Sequence, residues 1–238
     1  MNEALLELPK LHKGRLLARP NRFLGIVELE DGQKIQSFVA DPGRLTELLF
    51  PGAEVYVAHT AKEGRKTQYD MALVKSGQHL VSIDSRIPNK LVKKALSAKL
   101  LSPFKDYEHI RSEPTVKAGR LDFLLTGEDL TSCYLEVKSC TLVIDNIAMF
   151  PDAPTVRGAR HLGELIELKK EGFRSCVVFI IQHPDAKRFA PNEKTDPLFA
   201  KEFYRALENG VEIYLYKCDI TTKAIKISES IPIIGQTS

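Results

Sequence analysis

The spacing of apolar residues changes once along this chain, around Ser85-Arg86-Ile87-Pro88, and that change limits what it can fold into. From Gly14 to about Ser82, short β-rich runs are broken by turn residues: RLLARPNRFLGIVELE, Asp31-Gly32, QKIQSFVA, AEVYVAHT, TQYDMALVKS and HLVSI. One segment, GRLTELLF, sets Leu45, Leu48 and Leu49 at helical spacing between Asp41-Pro42 and Pro51-Gly52. About five strands with one short helix predict an OB-like barrel, a fold whose sheet face often binds single-stranded nucleic acid. Beyond the break, NKLVKKALSAKLL puts Leu91, Ala95, Leu96 and Leu100 on one stripe of a helix. We therefore expect two domains, residues 1–84 and 85–238.

The second half alternates strands and helices. Glu113 to Lys117, Arg120 to Thr126 and Ser132 to Thr141 read as strands of an antiparallel meander. After a loop rich in Pro, Asp and Asn, Val156 to Lys170 reads as a helix with Ala159, Leu162, Leu165 and Ile166 inward. The continuous apolar run SCVVFIIQ predicts a strand covered on both faces. A helix from Pro197 to Asn209 and a strand VEIYLYKCDI complete an α/β domain with a mixed central sheet.

Overall charge does not announce a polyanion partner, since 34 Lys and Arg against 31 Asp and Glu leave only +3. Any nucleic-acid surface must come from local clustering. Cys133, Cys140, Cys176 and Cys218 form no CxxC pair, which points away from zinc and disulfides. The amino terminus shows no secretory pattern and the longest clean apolar run, Cys176 to Ile181, is too short to span a bilayer, so a cytoplasmic protein is expected. There is no GxGxxG and no GxxxxGK[ST] for a nucleotide cofactor.

One constellation carries chemistry. In CYLEVKSC, Cys133, Leu135 and Val137 face one way, while Tyr134, Glu136 and Lys138 face the other. In GRLDFLL, Leu121, Phe123 and Leu125 form a buried face and Asp122 points oppositely. If the two strands pair, Asp122 lies beside Glu136, and the two carboxylates suit Mg²⁺ or Mn²⁺. Lys138 beside them could stabilise an attacking hydroxide and the transition state of phosphate chemistry. The plain alternative for Glu136 and Lys138 is a surface ion pair worth about 0.2–1 kcal/mol. An acid in the apolar run around Asp122, however, needs a partner or a metal.

Asp122, Glu136 and Lys138 resemble the Asp then Glu-x-Lys pattern of the PD-(D/E)xK nuclease superfamily, with Leu121 where a proline often stands. FPDAPTVRGARHLGEL, RFLGIVELEDG, ADPGRLTELLFPG, the Asn89-Lys90-Leu91 segment and GRLDFLL with YLEVKSCTL are similar to the sugar fermentation stimulation protein A family. The resemblance runs over almost the whole chain. It implies an amino-terminal OB-like domain, a carboxy-terminal restriction-endonuclease-like domain, DNA binding, and a proposed regulatory role in sugar metabolism. By the same resemblance, Glu113 is an acidic position that could complete a metal shell, and Arg157 and His161 border the site within reach of phosphate.

Arg157, His161 and Glu164 fall on one helical stripe, whose ordinary reading is a solvated polar face. Asp152 in the preceding loop either caps the helix, the plainer reading, or touches the site. In the first domain Arg15, Arg19, Arg22 and Phe23 mix charge with an aromatic ring, as a strand-tracking surface does, although phenylalanine is more often core. Arg44 stands at a helix start suited to phosphate, and Lys90, Lys93, Lys94 and Lys117 suit a DNA path or a solvated face. Three functions follow in order: a metal-dependent DNA nuclease, a DNA-binding regulator without turnover, and an RNA- or nucleotide-processing protein. A homo-oligomer is compatible with each.

Overall fold

The computed structural model describes residues 5–60, 64–117 and 119–235. In chain order the strands and helices are β1 (Leu5–Glu7), β2 (Leu11–Asn21), β3 (Leu24–Leu29), β4 (Lys34–Val39), β5 (Glu54–His59), β6 (Tyr69–Ser76), β7 (His79–Ser82) and α1 (Ile87–Ser97). They continue as β8 (His109–Ser112), β9 (Thr115–Val116), β10 (Gly119–Arg120), β11 (Phe123–Thr126), β12 (Cys133–Cys140), β13 (Val143–Ile144), β14 (Ile147–Phe150) and α2 (Val156–Lys170). The last are β15 (Arg174–Ile181), β16 (Arg188–Pro191), α3 (Pro197–Glu208), β17 (Glu212–Ile220) and β18 (Ala224–Ser230).

Strands β4-β3-β2-β5-β6 form one sheet that closes on itself through parallel pairing of β4 with β6, with β7 appended to β6. This is the five-stranded barrel expected from the alternating runs. Its alternation is visible in β3, where Val27 and Leu29 turn into the core while Ile26 and Glu28 are half-buried. The segment GRLTELLF is not a helix. Leu45 adopts a left-handed φ of 49° and only a turn follows, in which Leu48 and Leu49 both donate backbone N–H to the Leu45 carbonyl. The three leucines are buried as their spacing suggests, but left-handed backbone at Leu45 breaks the helix at its start.

The second sheet has the order β1-β18-β17-β15-β12-β11-β8 and is mixed, with β12, β15 and β17 parallel and the outer pairings antiparallel. Helix α1 covers one face through Leu91, Val92 and Ala95, while α2 and α3 cover the other through Leu162, Leu165, Phe199 and Phe203. Each helix matches its apolar stripe, except that Leu100, past the end of α1, is exposed. Strand β15 is buried on both sides because helices lie on each, as its unbroken apolar run requires.

Four details depart from the sequence reading. Strand β1 precedes the barrel in the chain yet pairs with β18 at the edge of the second sheet. The meander uses His109–Ser112 against β11, while Glu113 to Lys117 turns aside into the small β9–β10 hairpin, since Glu113 itself has a left-handed φ of 53°. The loop before α2 holds β13 and β14, which join β16 in a three-stranded sheet. Leu121 also lies not with Phe123 and Leu125 but in the α2-side core, because the strand is interrupted at residues 121–122.

Candidate metal centre

Antiparallel pairing sets Phe123 opposite Leu135 and Leu124 opposite Tyr134, a register that carries Asp122 toward Glu136. Asp122 is held at both oxygens: Oδ1 accepts from Asn89 Nδ2 at 2.6 Å and Oδ2 from the Val137 backbone N–H at 2.7 Å. Asn89 stands in the first turn of α1, so this helix orients the first acid of the site. Burial, then the neighbouring Glu136 charge, pushes the Asp122 carboxyl up to about 6.

Glu136 and Lys138 alternate with Leu135 and Val137 along β12 and point to the α2 side. Both are buried. Glu136 Oε1 accepts from Lys138 Nζ at 2.6 Å and also contacts His161 Nδ1. Arg157 Nε donates to His161 Nε2 at 3.4 Å. A ring accepting at Nε2 keeps its proton on Nδ1, so His161 donates to Glu136. Burial alone would raise the Glu136 carboxyl, but Lys138 and His161 together hold it below its ordinary range. Its second oxygen, Oε2, is buried with no hydrogen-bond partner among the described residues. A buried carboxylate oxygen without a donor is costly, and a cation or bound water is the usual remedy.

The structure thus brings together Asp122, Glu136 and Lys138, as the sequence suggests, and adds Asn89 and His161 as their supports. In the sequence Asn89 stands out only within the Asn89-Lys90-Leu91 segment. His161 was expected to meet phosphate, but at 1% exposure it cannot; it buttresses Glu136 instead. Glu113 is not brought to the carboxylates by its side chain, which is exposed and pairs with Arg120 Nη1 at 3.1 Å; only its backbone N–H touches Asp122, at the carbonyl. Among the described residues no three His, Cys, Asp or Glu side chains converge as a ligand set. The donors present are therefore two oxygen acids, which fit a hard cation that keeps waters.

Asp152 does not cap α2. Thr155 does, accepting from the Gly158 N–H at 3.0 Å. Asp152 reaches across to the barrel, where Oδ2 accepts from the Leu45 N–H at 3.3 Å. The barrel loop it meets is built by arginine: Arg19 donates to the carbonyls of Arg44, Arg22 and Gly43, and Arg22 to that of Pro42 at 3.2 Å. Arg19 is therefore half-consumed by the fold, whereas Arg15, Arg22, Arg44 and Arg157 are exposed. Phe23, expected more often in a core, is 49% exposed.

Comparison with known proteins agrees with this architecture. Residues 17–83 match the SfsA N-terminal OB domain and residues 86–224 the sugar fermentation stimulation protein RE domain. The chain belongs to the sugar fermentation stimulation protein family. A homologue from Moorella thermoacetica is 50% identical over 225 residues, covering 94% of this chain and 97% of the relative. One from Desulforamulus reducens is 44% identical, covering 95% and 93%. The structure of Pyrococcus furiosus SfsA in complex with Ca²⁺ superposes with a TM-score of 0.88 at 32% identity, over 96% of this chain and 97% of that one. The fold is accordingly an OB barrel joined to a restriction-endonuclease-like α/β domain. No described helix is long and apolar enough to cross a membrane.

Proposed function

We propose that this protein binds DNA and hydrolyses phosphodiester bonds with the help of Mg²⁺ or Mn²⁺. The observation that carries the reading is the unpartnered, buried Oε2 of Glu136 next to Asp122, with the Lys138 ammonium alongside. The Ca²⁺ complex of a relative sharing the whole fold supports a divalent ion in the family.

In this reading Asp122 and Glu136 hold the ion, which when bound lowers the pKa of water and offsets charge growing on the phosphate. Asn89 and the Val137 N–H fix the Asp122 carboxylate, and His161 fixes that of Glu136. Lys138 orients the attacking water and stabilises negative charge in a site where burial strengthens its field. Exposed Arg157, Arg15, Arg22 and Arg44 meet the DNA backbone.

A second reading, a DNA-binding regulator without turnover, draws on Lys138 already neutralising Glu136 and on the lack of a third acid in the described site. Labelled single-stranded, duplex and branched DNA incubated with Mg²⁺ or Mn²⁺ separates the two. Cleavage by the wild type that is lost in both Glu136→Ala and Lys138→Ala supports hydrolysis. Tight, metal-insensitive binding with no cleavage of any form favours the regulator.

A further inference from the structure

Resting on the DNA reading above, we propose that Phe23 and Phe38 form a stacking seat for one unpaired base, so that the preferred DNA carries an unpaired nucleotide near the scissile bond. The two rings lie nearly parallel, with centroids 6.3 Å apart and planes 18° off. Phe38 is half-buried, while Phe23 presents half its surface to solvent from the turn between β2 and β3. That turn is set in advance. Asn21 Oδ1 accepts from the Phe23 N–H at 2.9 Å, and the Phe23 carbonyl accepts from the Val39 N–H at 3.0 Å. A ring held this way offers its face to a base with little further loss of entropy.

The surroundings fit a nucleotide better than an apolar protein side chain. The guanidinium carbons of Arg65 and Arg86 stand 5.8 and 5.9 Å from the Phe38 centroid. Both arginines are pinned by Asp70, which the parallel β4–β6 register sets opposite Phe38, and Arg86 also by Asp84. Arg22, adjoining Phe23, is exposed and has no acidic partner among the described residues, leaving its charge for a flanking phosphate. Aromatic faces interleaved with guanidinium groups take a base and its backbone together.

The seat is also tied to the carboxylates. Arg86 is the residue preceding α1, and Asn89, which holds Asp122, lies three positions on, about 4.5 Å along the helix axis. Phe38 and the Arg86 side chain thus connect the seat to the helical turn that orients the first acid of the site.

The experiment uses the full chain in EDTA, with 2-aminopurine at the unpaired position of a gapped duplex, in a single strand, and within an uninterrupted duplex. The chain has no tryptophan, so the probe is read without protein background. Expected results are quenching in the gapped and single-stranded DNA, with tighter binding than to uninterrupted duplex. Phe23→Ala should remove the quenching and weaken gapped binding at least about five-fold, Phe23→Tyr should restore both, and Phe50→Ala, a solvent-exposed control, should change neither. Equal affinity for gapped and uninterrupted duplex, or quenching that survives Phe23→Ala, would overturn the seat while leaving the DNA reading intact. No binding of any DNA by the wild type would overturn both.

Discussion

Gly43→Ala should be costly for a reason that lies in the other domain. A Cβ built on Gly43 would sit 2.8 Å from Asp152 Cγ, closer than real Cβ contacts, so the carboxylate must leave its seat. The Gly43 backbone is not left-handed, so alanine is otherwise allowed there. Displacing Asp152 forfeits its bond to the Leu45 N–H and leaves that buried donor unsatisfied, about 1–3 kcal/mol. We expect a loss of about 1–3 kcal/mol, or roughly 2–12 °C in Tm for a chain of this size. In an Asp152→Ala background the seat is vacant, and Gly43→Ala should cost less than about 0.5 kcal/mol or even stabilise through the unfolded chain. Urea unfolding of the four proteins in this cycle gives the coupling directly. Additivity within about 0.5 kcal/mol would refute the argument that Gly43 is small in order to admit Asp152.

Asp41 supplies a pH dependence: burial, then the nearby Asp152 charge, raises its carboxyl to about 7, so the folded state holds a proton that the unfolded chain releases near pH 4. Stability should fall as pH rises from about 4 to about 7, by on the order of 3–4 kcal/mol at most, and Asp41→Asn should flatten that slope in unfolding measured across this range. His161→Ala should weaken Mn²⁺ binding by calorimetry about 10–100-fold, since the ring holds Glu136; unchanged affinity would deny it that role. Phe203→Ala should cost about 3–5 kcal/mol in denaturant unfolding, because Phe203 is fully buried among Phe179, Phe189 and Phe199.

What could be read in the sequence follows from what is local. Helix α2 has the predicted ends because its apolar stripe runs out at Gly172, which is left-handed at φ 93°, although the cap at its start is Thr155 and not Asp152. Asp122, Glu136 and Lys138 were legible because strand alternation fixes which side chains share a face. The β14–β16 pairing was not, since it joins short segments 41 residues apart, Ile147 to Arg188, and one of them ends in proline. His161 looked like a polar-face residue because its partners, Glu136 and Lys138, lie on a strand whose distance from α2 no spacing rule encodes. Leu45 misled for the opposite reason: its leucine spacing was helical, yet tertiary packing fixed it left-handed.

Strand β1 has a consequence for how the molecule is made. Leu6 pairs with Ile225 and Leu8 N–H reaches the Lys223 carbonyl, while Lys94 Nζ of α1 donates to the Leu5 carbonyl, so a strand that precedes the barrel is tied to one that follows every other strand of the second sheet. The barrel is in effect a large insertion within the other domain, tethered by two crossings where a simple bead-on-string arrangement has one. During translation it can close while every strand of its host sheet except β1 is still to be made. The host then forms through contacts of very long sequence separation, a slow step by loop-closure arguments. Until β18 emerges, the β1 segment is a loose strand in search of a partner, and a chain stalled at that stage exposes an unpaired edge to its neighbours.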